Sequence, residues 1–148
     1  MDKTTERDIL RIMKGHNLLT LATLRSDGYP QATTITFAND GLTIYAVIGK
    51  DSQKAKNIRK NNKVSLTIDR DYKDWNKIRG LSMGGTAEVL RAGAKKDHAQ
   101  ALLVEKFPEM KQMGTNDYAN LAFLKISPEV ISVLDYTKGF GHTDLVRV

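Results

Sequence analysis

Cysteine is absent from the 148-residue chain, and so are long hydrophobic runs. Without cysteine there is no disulfide, thiolate metal site or thiol nucleophile, as is common in the reducing cytoplasm. No apolar stretch approaches the length that spans a bilayer. The first fifteen residues alternate charged with single apolar positions, so we expect no signal peptide. These absences predict a soluble cytoplasmic protein without a membrane partner.

Aromatic residues are missing from the most basic part of the chain. Lysine and arginine outnumber aspartate and glutamate by 23 to 17, and the resulting net charge of +6 favours anionic partners. The basic residues concentrate in residues 50–63, where a nucleic-acid surface would interleave aromatic side chains that stack on bases. None is present there. We therefore expect a small phosphorylated ligand and no specific nucleic acid.

The length and the hydrophobic content of 41% suit one domain spanning residues 1–148. Helical spacing predicts a short helix over residues 4–14 and a longer one over Ala94–Phe107, which Pro108 stops. About six strands are predicted, from seven segments with strand patterns. The segments lie at Leu18–Leu24, Ala32–Ala38, Leu42–Ile48, Lys63–Asp69 and Arg79–Arg91, then at Ala122–Ile126 and Val130–Tyr136 on either side of Ser127-Pro128-Glu129.

Two Asp-Gly turns join the first three strands into an antiparallel meander, at residues 26–30 and 39–41. In the fifth strand, Gly84-Gly85 indicates a bulge, a barrel corner or a close backbone approach. No regular alternation of strand and helix appears, so a doubly wound parallel sheet is not expected. Barrel closure would remove the edges that short strands leave. The predicted fold is mainly β, a small antiparallel barrel with flanking helices.

The turn after the third strand leads into a helix whose first turn is cationic. Lys50 and Lys54 oppose the helix dipole there, and Ser52 is placed as the N-cap. Unpaired backbone N–H groups, a hydroxyl and two ammonium groups together would bind a doubly charged anion such as phosphate. The alternative interpretation is a solvated basic helix without a ligand.

The order and spacing of six segments resemble the pyridoxamine 5′-phosphate oxidase-like family of FMN-binding split barrels. The segments are Ala22-Thr23-Leu24, Asp27-Gly28-Tyr29-Pro30 with Thr33-Thr34-Ile35, Asn39-Asp40-Gly41-Leu42-Thr43-Ile44-Tyr45, Ser52-Gln53-Lys54-Ala55-Lys56-Asn57-Ile58, Asn62-Lys63-Val64-Ser65-Leu66-Thr67-Ile68 and Gly85-Thr86-Ala87-Glu88-Val89-Leu90. The resemblance covers most of residues 8–136 and implies a six-stranded antiparallel split β-barrel.

The resemblance also implies an FMN site at the interface of a homodimer. In the family pattern the second strand lies along the isoalloxazine ring, and the third strand's end and the following helix start hold the phosphate. The ring residues would be Thr33, Thr34, Ile35 and Thr36, and the phosphate residues Ile48, Gly49, Lys50, Ser52, Gln53 and Lys54. The sequence pattern and the resemblance thus select the same turn.

Some positions depart from the vitamin B6 oxidases of the family. Those enzymes carry arginine where this chain has Thr33 and Gln53, and lysine at about Ala38. The tryptophan- and arginine-bearing segment that ends them is absent from residues 135–148. Strict pyridoxamine phosphate oxidase activity is therefore not expected, and another flavin-like ligand such as a deazaflavin is an alternative to FMN.

Two further segments are candidates for a substrate pocket. Tyr72 and Trp75 lie on a polar loop between strands, where they either wall a pocket or anchor the loop. Lys138, Phe140 and His142 belong to a glycine-rich tail that either folds over a flavin or packs on a partner subunit. His16 is expected in a turn and His98 on a helix surface. No pair of histidines has metal-ligand spacing, so no metal site is predicted.

Three functional hypotheses follow. The first is an FMN-dependent oxidoreductase that takes hydride from a reduced nicotinamide and passes electrons to a small-molecule acceptor, with the cofactor carrying the chemistry. Catalytic residues cannot be assigned from the sequence. The second hypothesis is a haem- or flavin-binding module without turnover, and the third is a nucleic-acid binder supported only by the basic isoelectric point.

Overall fold

The computed structural model describes residues 1–148. Its helices are α1 (Lys3–Lys14), α2 (Gln53–Lys60), α3 (Ala94–Lys106) and α4 (Thr115–Ala119). Its strands are β1 (Leu18–Leu24), β2 (Pro30–Asp40), β3 (Thr43–Gly49), β4 (Lys63–Ile68), β5 (Arg79–Val89), β6 (Leu121–Asp135) and β7 (Thr143–Arg147). Three short 3₁₀ helices cover Trp75–Lys77, Pro108–Gln112 and Tyr136–Lys138. No helix is both long and apolar enough to span a membrane.

Six antiparallel strands close into a barrel. The strands follow the order β3-β2-β1-β4-β5-β6, and β6 pairs with β3 to complete the circle. The first half of β6 makes this closure, for example where Phe123 lies opposite Val47. The predicted meander of β1, β2 and β3 and the predicted barrel are both confirmed, because turns with glycine at positive φ join these strands at Gly28 and Gly41.

Residues 121–135 form one long strand, although the sequence predicts two strands separated by Ser127-Pro128-Glu129. That expectation is wrong because the turn residues sit in a bulge rather than in a loop. Gly84 lies opposite Val130 and Gly85 opposite Pro128, so Glu129 is the extra residue. The backbone of Ser127 approaches Gly85 so closely that no side chain fits there. Of the three alternatives for Gly84-Gly85, the structure shows the bulge together with a close backbone approach.

The C-terminal segment is folded onto the barrel instead of forming an open tail. A 3₁₀ turn at Tyr136–Lys138 is followed by β7, which pairs antiparallel with the second half of β6. The sequence does not predict β7, because its burial is slight and Thr143–Arg147 shows no clear alternation. Seven strands are thus present where about six were expected, with β7 outside the barrel.

Alternating apolar residues fill the barrel interior. In β4 the buried side chains are Val64, Leu66 and Ile68, as the sequence pattern predicts. Helix α1 adds its apolar face to the same 23-residue core, with Ile9 and Met13 fully buried. A second core lies between α3 and the outer face of the barrel, where seven buried residues include Leu103 and Phe123. Elements β1, β2, β3 and α2 are therefore held rigidly, and they carry the candidate site.

Candidate functional site

The turn between β3 and α2 is shaped by Ser52. Its side-chain oxygen accepts a hydrogen bond from the backbone N–H of Ala55 at 3.3 Å, which confirms the N-cap. The same hydroxyl donates to the carbonyl of Gly49 at 2.7 Å. The first turn of α2 contains no acidic residue. The helix N-terminus therefore keeps its partial positive charge.

The backbone of this turn is fixed, whereas its two ammonium groups have no ionic partner. The N–H of Lys50 donates to the carbonyl of Asn120 at 2.9 Å, and the carbonyl of Lys50 accepts from Arg59 at 3.1 Å. Neither Lys50 nor Lys54 belongs to any of the six ion pairs of the chain. Lys54 is partly buried and Lys50 exposed. Together they can attract an anion to the end of α2.

A buried polar network connects α2 to the barrel wall. Gln53 donates to the side-chain oxygen of Asn57 at 2.8 Å. The amide nitrogen of Asn57 donates to the hydroxyl of Thr23 at 3.0 Å and to the side-chain oxygen of Gln31 at 3.3 Å. Thr23 and Asn57 are only 1% and 2% exposed. The network therefore fixes the position of the cationic turn relative to β2.

Asn57, Thr23 and Gln31 were not singled out in the sequence, although part of the signal was present. Asn57 lies between Ala55 and Ile58, the two other buried positions of α2, where an amide needs a partner. Gln31 is two residues before Thr33, so the two side chains share a face of β2. The sequence does not show which strand faces α2, because that contact depends on how the barrel closes.

The predicted ring residues occupy both faces of β2. Ile35 is buried and Thr33 half-buried on the inner face, whereas Thr34 is exposed and Thr36 half-exposed on the outer face. The Thr33 hydroxyl oxygen is buried and has no hydrogen-bond partner. A buried hydroxyl without a partner costs about 1–3 kcal/mol. A ligand atom that reaches it would remove this cost.

One edge of β2 also lacks a strand partner. Residues 30–36 pair with β1 on one side, and pairing with β3 begins only at Phe37. The N–H of Phe37 donates toward β1, to the carbonyl of Asn17. Because backbone groups alternate in direction along a strand, those of Thr34 and Thr36 point away from β1. This edge thus offers donors and acceptors to a ligand or to another chain.

Hydrogen bonds connect the elements that carry the predicted ring residues and the predicted phosphate residues. Neither set of residues lies in a cavity. The Asn57 network joins β2 to the helix start, and Gly49 at the end of β3 accepts from Ser52. None of the ten predicted cofactor residues lines any of the five main cavities of the chain. Within one chain these residues form an open surface.

The predicted substrate-pocket residues come from two segments that the fold brings together. The rings of Trp75 and Phe140 lie 6.4 Å apart, and Tyr136 contacts Phe140 at 5.3 Å between ring centres. Trp75 and Phe140 are 67% and 70% exposed. Tyr72 donates to the carbonyl of Arg79 and lines a cavity of about 300 Å³ together with Trp75. The sequence missed Tyr136, which extends this aromatic surface.

Asp135 anchors the segment that carries Phe140. Its carboxylate accepts from the backbone N–H of Thr137 at 3.0 Å and from Arg79 at 3.3 Å. Burial alone would raise the pKa of Asp135, but the hydrogen bonds from Thr137 and Arg79 outweigh it and lower the pKa. The carboxylate is therefore charged at neutral pH. It holds residues 136–138 against Arg79 at the start of β5.

The three histidines have separate environments. His16 follows α1 in a turn, as expected, and is buried, with Nδ1 donating to Ile12 and Nε2 accepting from Arg70. His98 lies on the surface of α3 beside Asp40. His142 contacts Asp144 through Nε2 at 3.0 Å, and Lys138 approaches the same carboxylate at 4.0 Å. No three His, Cys, Asp or Glu side chains group closely enough for a metal ion.

The barrel and its cationic turn define a class of small split-barrel proteins, and comparison with known proteins identifies the family. The sequence profile described as "Pyridoxamine 5'-phosphate oxidase" matches residues 5–135. The chain therefore belongs to the pyridoxamine 5′-phosphate oxidase-like family. It is similar to general stress protein 26 of Bacillus subtilis, with 28% identity over 130 residues that cover 88% of each protein.

Solved structures with the same fold include haem proteins. A heme binding protein from Mycobacterium smegmatis superposes with a TM-score of 0.82 at 19% identity. The match covers 99% of this chain and 59% of that protein, so the chain spans about three fifths of its length. HutZ, the heme storage protein from Vibrio cholerae, superposes with a TM-score of 0.72 at 21% identity, over 84% of this chain and 89% of HutZ. At these identities the similarity establishes the fold alone.

Proposed function

We propose that the chain binds FMN in a homodimer and acts as a flavin-dependent oxidoreductase on a small molecule. The observation that carries the proposal is the link between the cationic start of α2 and the open edge of β2 through Asn57. FMN has a doubly charged phosphate at one end and a planar ring with hydrogen-bonding groups at the other. The two parts of this surface match the two ends of that molecule.

The phosphate would lie at the N-terminus of α2. Lys54 and Lys50 supply positive charge, no acidic residue lies in the first turn of α2, and the first backbone N–H groups of α2 supply donors. The Ser52 hydroxyl donates to Gly49, so it must leave that carbonyl before it donates to a phosphate oxygen. The two lysines and the N–H groups at the start of α2 would therefore bind the phosphate without rearrangement. The Ser52 hydroxyl would bind it only after rotating away from Gly49.

The flavin ring would lie along β2. Its pyrimidine part presents alternating acceptor and donor atoms, which suit the outward backbone groups of Thr34 and Thr36. The buried Thr33 hydroxyl would gain a partner on the inner side. Bound FMN would supply hydride and electron transfer, while the chain binds the cofactor, orients it and excludes water. A reduced nicotinamide is the proposed electron donor.

The homodimer is part of the same proposal. The cofactor residues of one chain form an open surface, and the adjoining edge of β2 has no strand partner. An unpaired strand edge needs a cover. Bound FMN would occupy the backbone groups of this edge, and a second copy would lie over the flavin and provide the missing wall of the site.

The proposed phosphate contact is tested by Lys54→Ala. A charge-assisted hydrogen bond contributes about 1.5–3 kcal/mol, so FMN binding should weaken roughly 10- to 100-fold. Riboflavin lacks the phosphate and should bind wild type and variant equally. Flavin fluorescence quenching measures both constants, with Lys56→Ala, an exposed lysine on the same helix, as the control. An unchanged FMN constant, or an equal loss for riboflavin, would refute the phosphate site.

Haem binding without turnover is the second candidate, and one observation favours it. The aromatic surface formed by Trp75, Tyr136 and Phe140 is exposed, and His142 lies two residues beyond Phe140. The Nε2 of His142 is bonded to a carboxylate, as in many metal-binding imidazoles, which leaves Nδ1 available. Absorption spectra after addition of haem or FMN separate the candidates. A Soret shift that His142→Ala abolishes, without flavin binding, would favour haem.

A further inference from the structure

A second cationic surface lies beside the C-terminal end of α2, where Ile58 and Arg59 line a groove. The groove between α2 and the end of β5 has a volume of about 760 Å³. We call it the α2–β5 groove. It is lined by residues that include Ile58, Arg59, Asn62, Glu88, Arg91 and Lys125. This volume lies within the range of about 300–1,000 Å³ that is usual for small-molecule sites.

The charges of the groove are not neutralised within the chain. Arg59, Arg91 and Lys125 face it together with one acid, Glu88, and none of the three cations takes part in an ion pair. Glu88 lies directly opposite Lys125 in the pairing of β5 with β6, yet their charged groups are more than 4.0 Å apart. Three cations around one cavity make it attractive to an anion.

The lining of the groove is mainly polar. Four of its eleven residues are hydrophobic, and three of these, Ile58, Ala87 and Leu90, are only 3%, 4% and 6% exposed. Asn62 adds an amide, and the Glu88 carboxylate adds an acceptor for hydroxyl groups. An inorganic anion would use only the cations. A ligand with phosphate and hydroxyl groups would use the amide and the carboxylate as well.

We propose that the α2–β5 groove binds a phosphorylated small molecule of nucleotide size. Its phosphate oxygens contact Arg59, Arg91 and Lys125, and its hydroxyl groups face Asn62 and Glu88. Guanidinium groups suit this role because they donate two parallel hydrogen bonds to phosphate. This site is separate from the proposed FMN site, since none of the ten predicted cofactor residues lines the groove.

Arg59 connects the two sites. One of its nitrogens donates to the carbonyl of Lys50 in the candidate phosphate turn, and its other donors remain available on the groove side. Because Arg59 supports that turn, it is a poor choice for a test variant. Arg91 and Lys125 are better choices, since neither makes a side-chain hydrogen bond or ion pair within the chain.

Calorimetric titration of the purified full-length chain with ADP, AMP and adenosine tests the proposal. We expect ADP to bind more tightly than AMP and adenosine to show no measurable binding. Arg91→Ala should weaken ADP binding by about 10- to 100-fold, Lys125→Met should also weaken it, and Arg91→Lys should restore part of the loss. Arg7→Ala, which removes an exposed arginine on α1, should have no effect.

Parallel FMN titrations separate this site from the proposed cofactor site. Arg91→Ala should leave the FMN constant unchanged, and ADP should still bind after one equivalent of FMN has filled the cofactor site. Loss of ADP binding at one equivalent of FMN would overturn the separate site. Equal ADP binding by wild type, Arg91→Ala and Lys125→Met would overturn it as well. The proposal would also be overturned if a single-stranded oligonucleotide bound far more tightly than ADP and Arg91→Ala weakened that binding. The groove would then be a site for a polynucleotide.

Discussion

The side-chain amide of Asn57 in α2 donates a hydrogen bond of 3.0 Å to the hydroxyl of Thr23 in β1, and both residues are almost completely buried. Thirty-four positions separate them in the chain. This contact and the parallel one to Gln31 link α2 to β1 and β2, in addition to the hydrogen bond from Ser52 to Gly49 in β3. The position of the proposed phosphate site therefore depends on a buried asparagine that makes no contact with solvent.

Asn57→Ala should lower the free energy of unfolding by about 1–3 kcal/mol, because the Thr23 hydroxyl would remain buried without a partner. Chemical denaturation measures the change. Asn116→Ala, at an exposed position of α4, is the matched control and should have little effect. If the two variants are equally stable, the network does not hold α2 in place.

Neighbouring glycines in β5 should respond differently to alanine. A Cβ at Gly85 would lie 2.9 Å from the Cα of Pro128 and overlap the carbonyl of Ser127, both of which are backbone. A Cβ at Gly84 would meet only a methyl of Val130 at 3.3 Å. We expect Gly85→Ala to destabilise by more than about 2 kcal/mol and Gly84→Ala by about 1 kcal/mol or less. Thermal and denaturant unfolding of both variants would show the order, and the reverse order would contradict the bulge geometry.

Lys106 should make stability depend on pH in the alkaline range. Its ammonium group donates to the carbonyl of His16 and lies 4.0 Å from the ring centre of Phe37, and burial lowers its pKa from the ordinary value of 10.5. Between the lowered pKa and 10.5 the unfolded chain binds more protons than the folded chain. The free energy of unfolding therefore rises with pH through this range.

The difference in unfolding free energy between wild type and Lys106→Met isolates this effect. The free energy of unfolding of wild type, relative to that of Lys106→Met, should increase as the pH rises toward 10.5 and then level off. Denaturant unfolding at several pH values measures it, with Lys111→Met at an exposed position as the control. A difference that stays constant over the whole range would show that folding does not desolvate the ammonium group.

Light scattering should give twice the 16.5 kDa chain mass, if a second copy completes the open cofactor site beside β2. Thr34→Lys places a charge on the exposed face of that edge and should shift the protein toward monomer, with weaker FMN binding. Thr115→Lys, at an exposed position of α4, should remain dimeric. A wild-type monomer that binds FMN tightly would refute the two-chain site.

Local patterns in the sequence determine most of the barrel. Alternation of apolar and polar residues predicts β4 and the inner face of β2, because a strand with one buried face imposes a period of two. The glycines at positions 28 and 41 specify the hairpins, and Ser52 specifies the start of α2. These signals lie within a few residues of the elements they determine, which is why a single sequence reveals them.

Only the tertiary structure decides the features that depend on residues distant in the chain. The continuous β6 and its bulge arise because β5 pairs along its whole length, and this pairing overrides the turn signal of Ser127-Pro128-Glu129. Strand β7 forms on the edge that the second half of β6 offers. The Asn57 network and the aromatic contact of Trp75 with Phe140 need partners that come together only when the barrel closes. The sequence determined the candidate residues through short-range propensity and pattern, and the fold determined their neighbours through long-range packing.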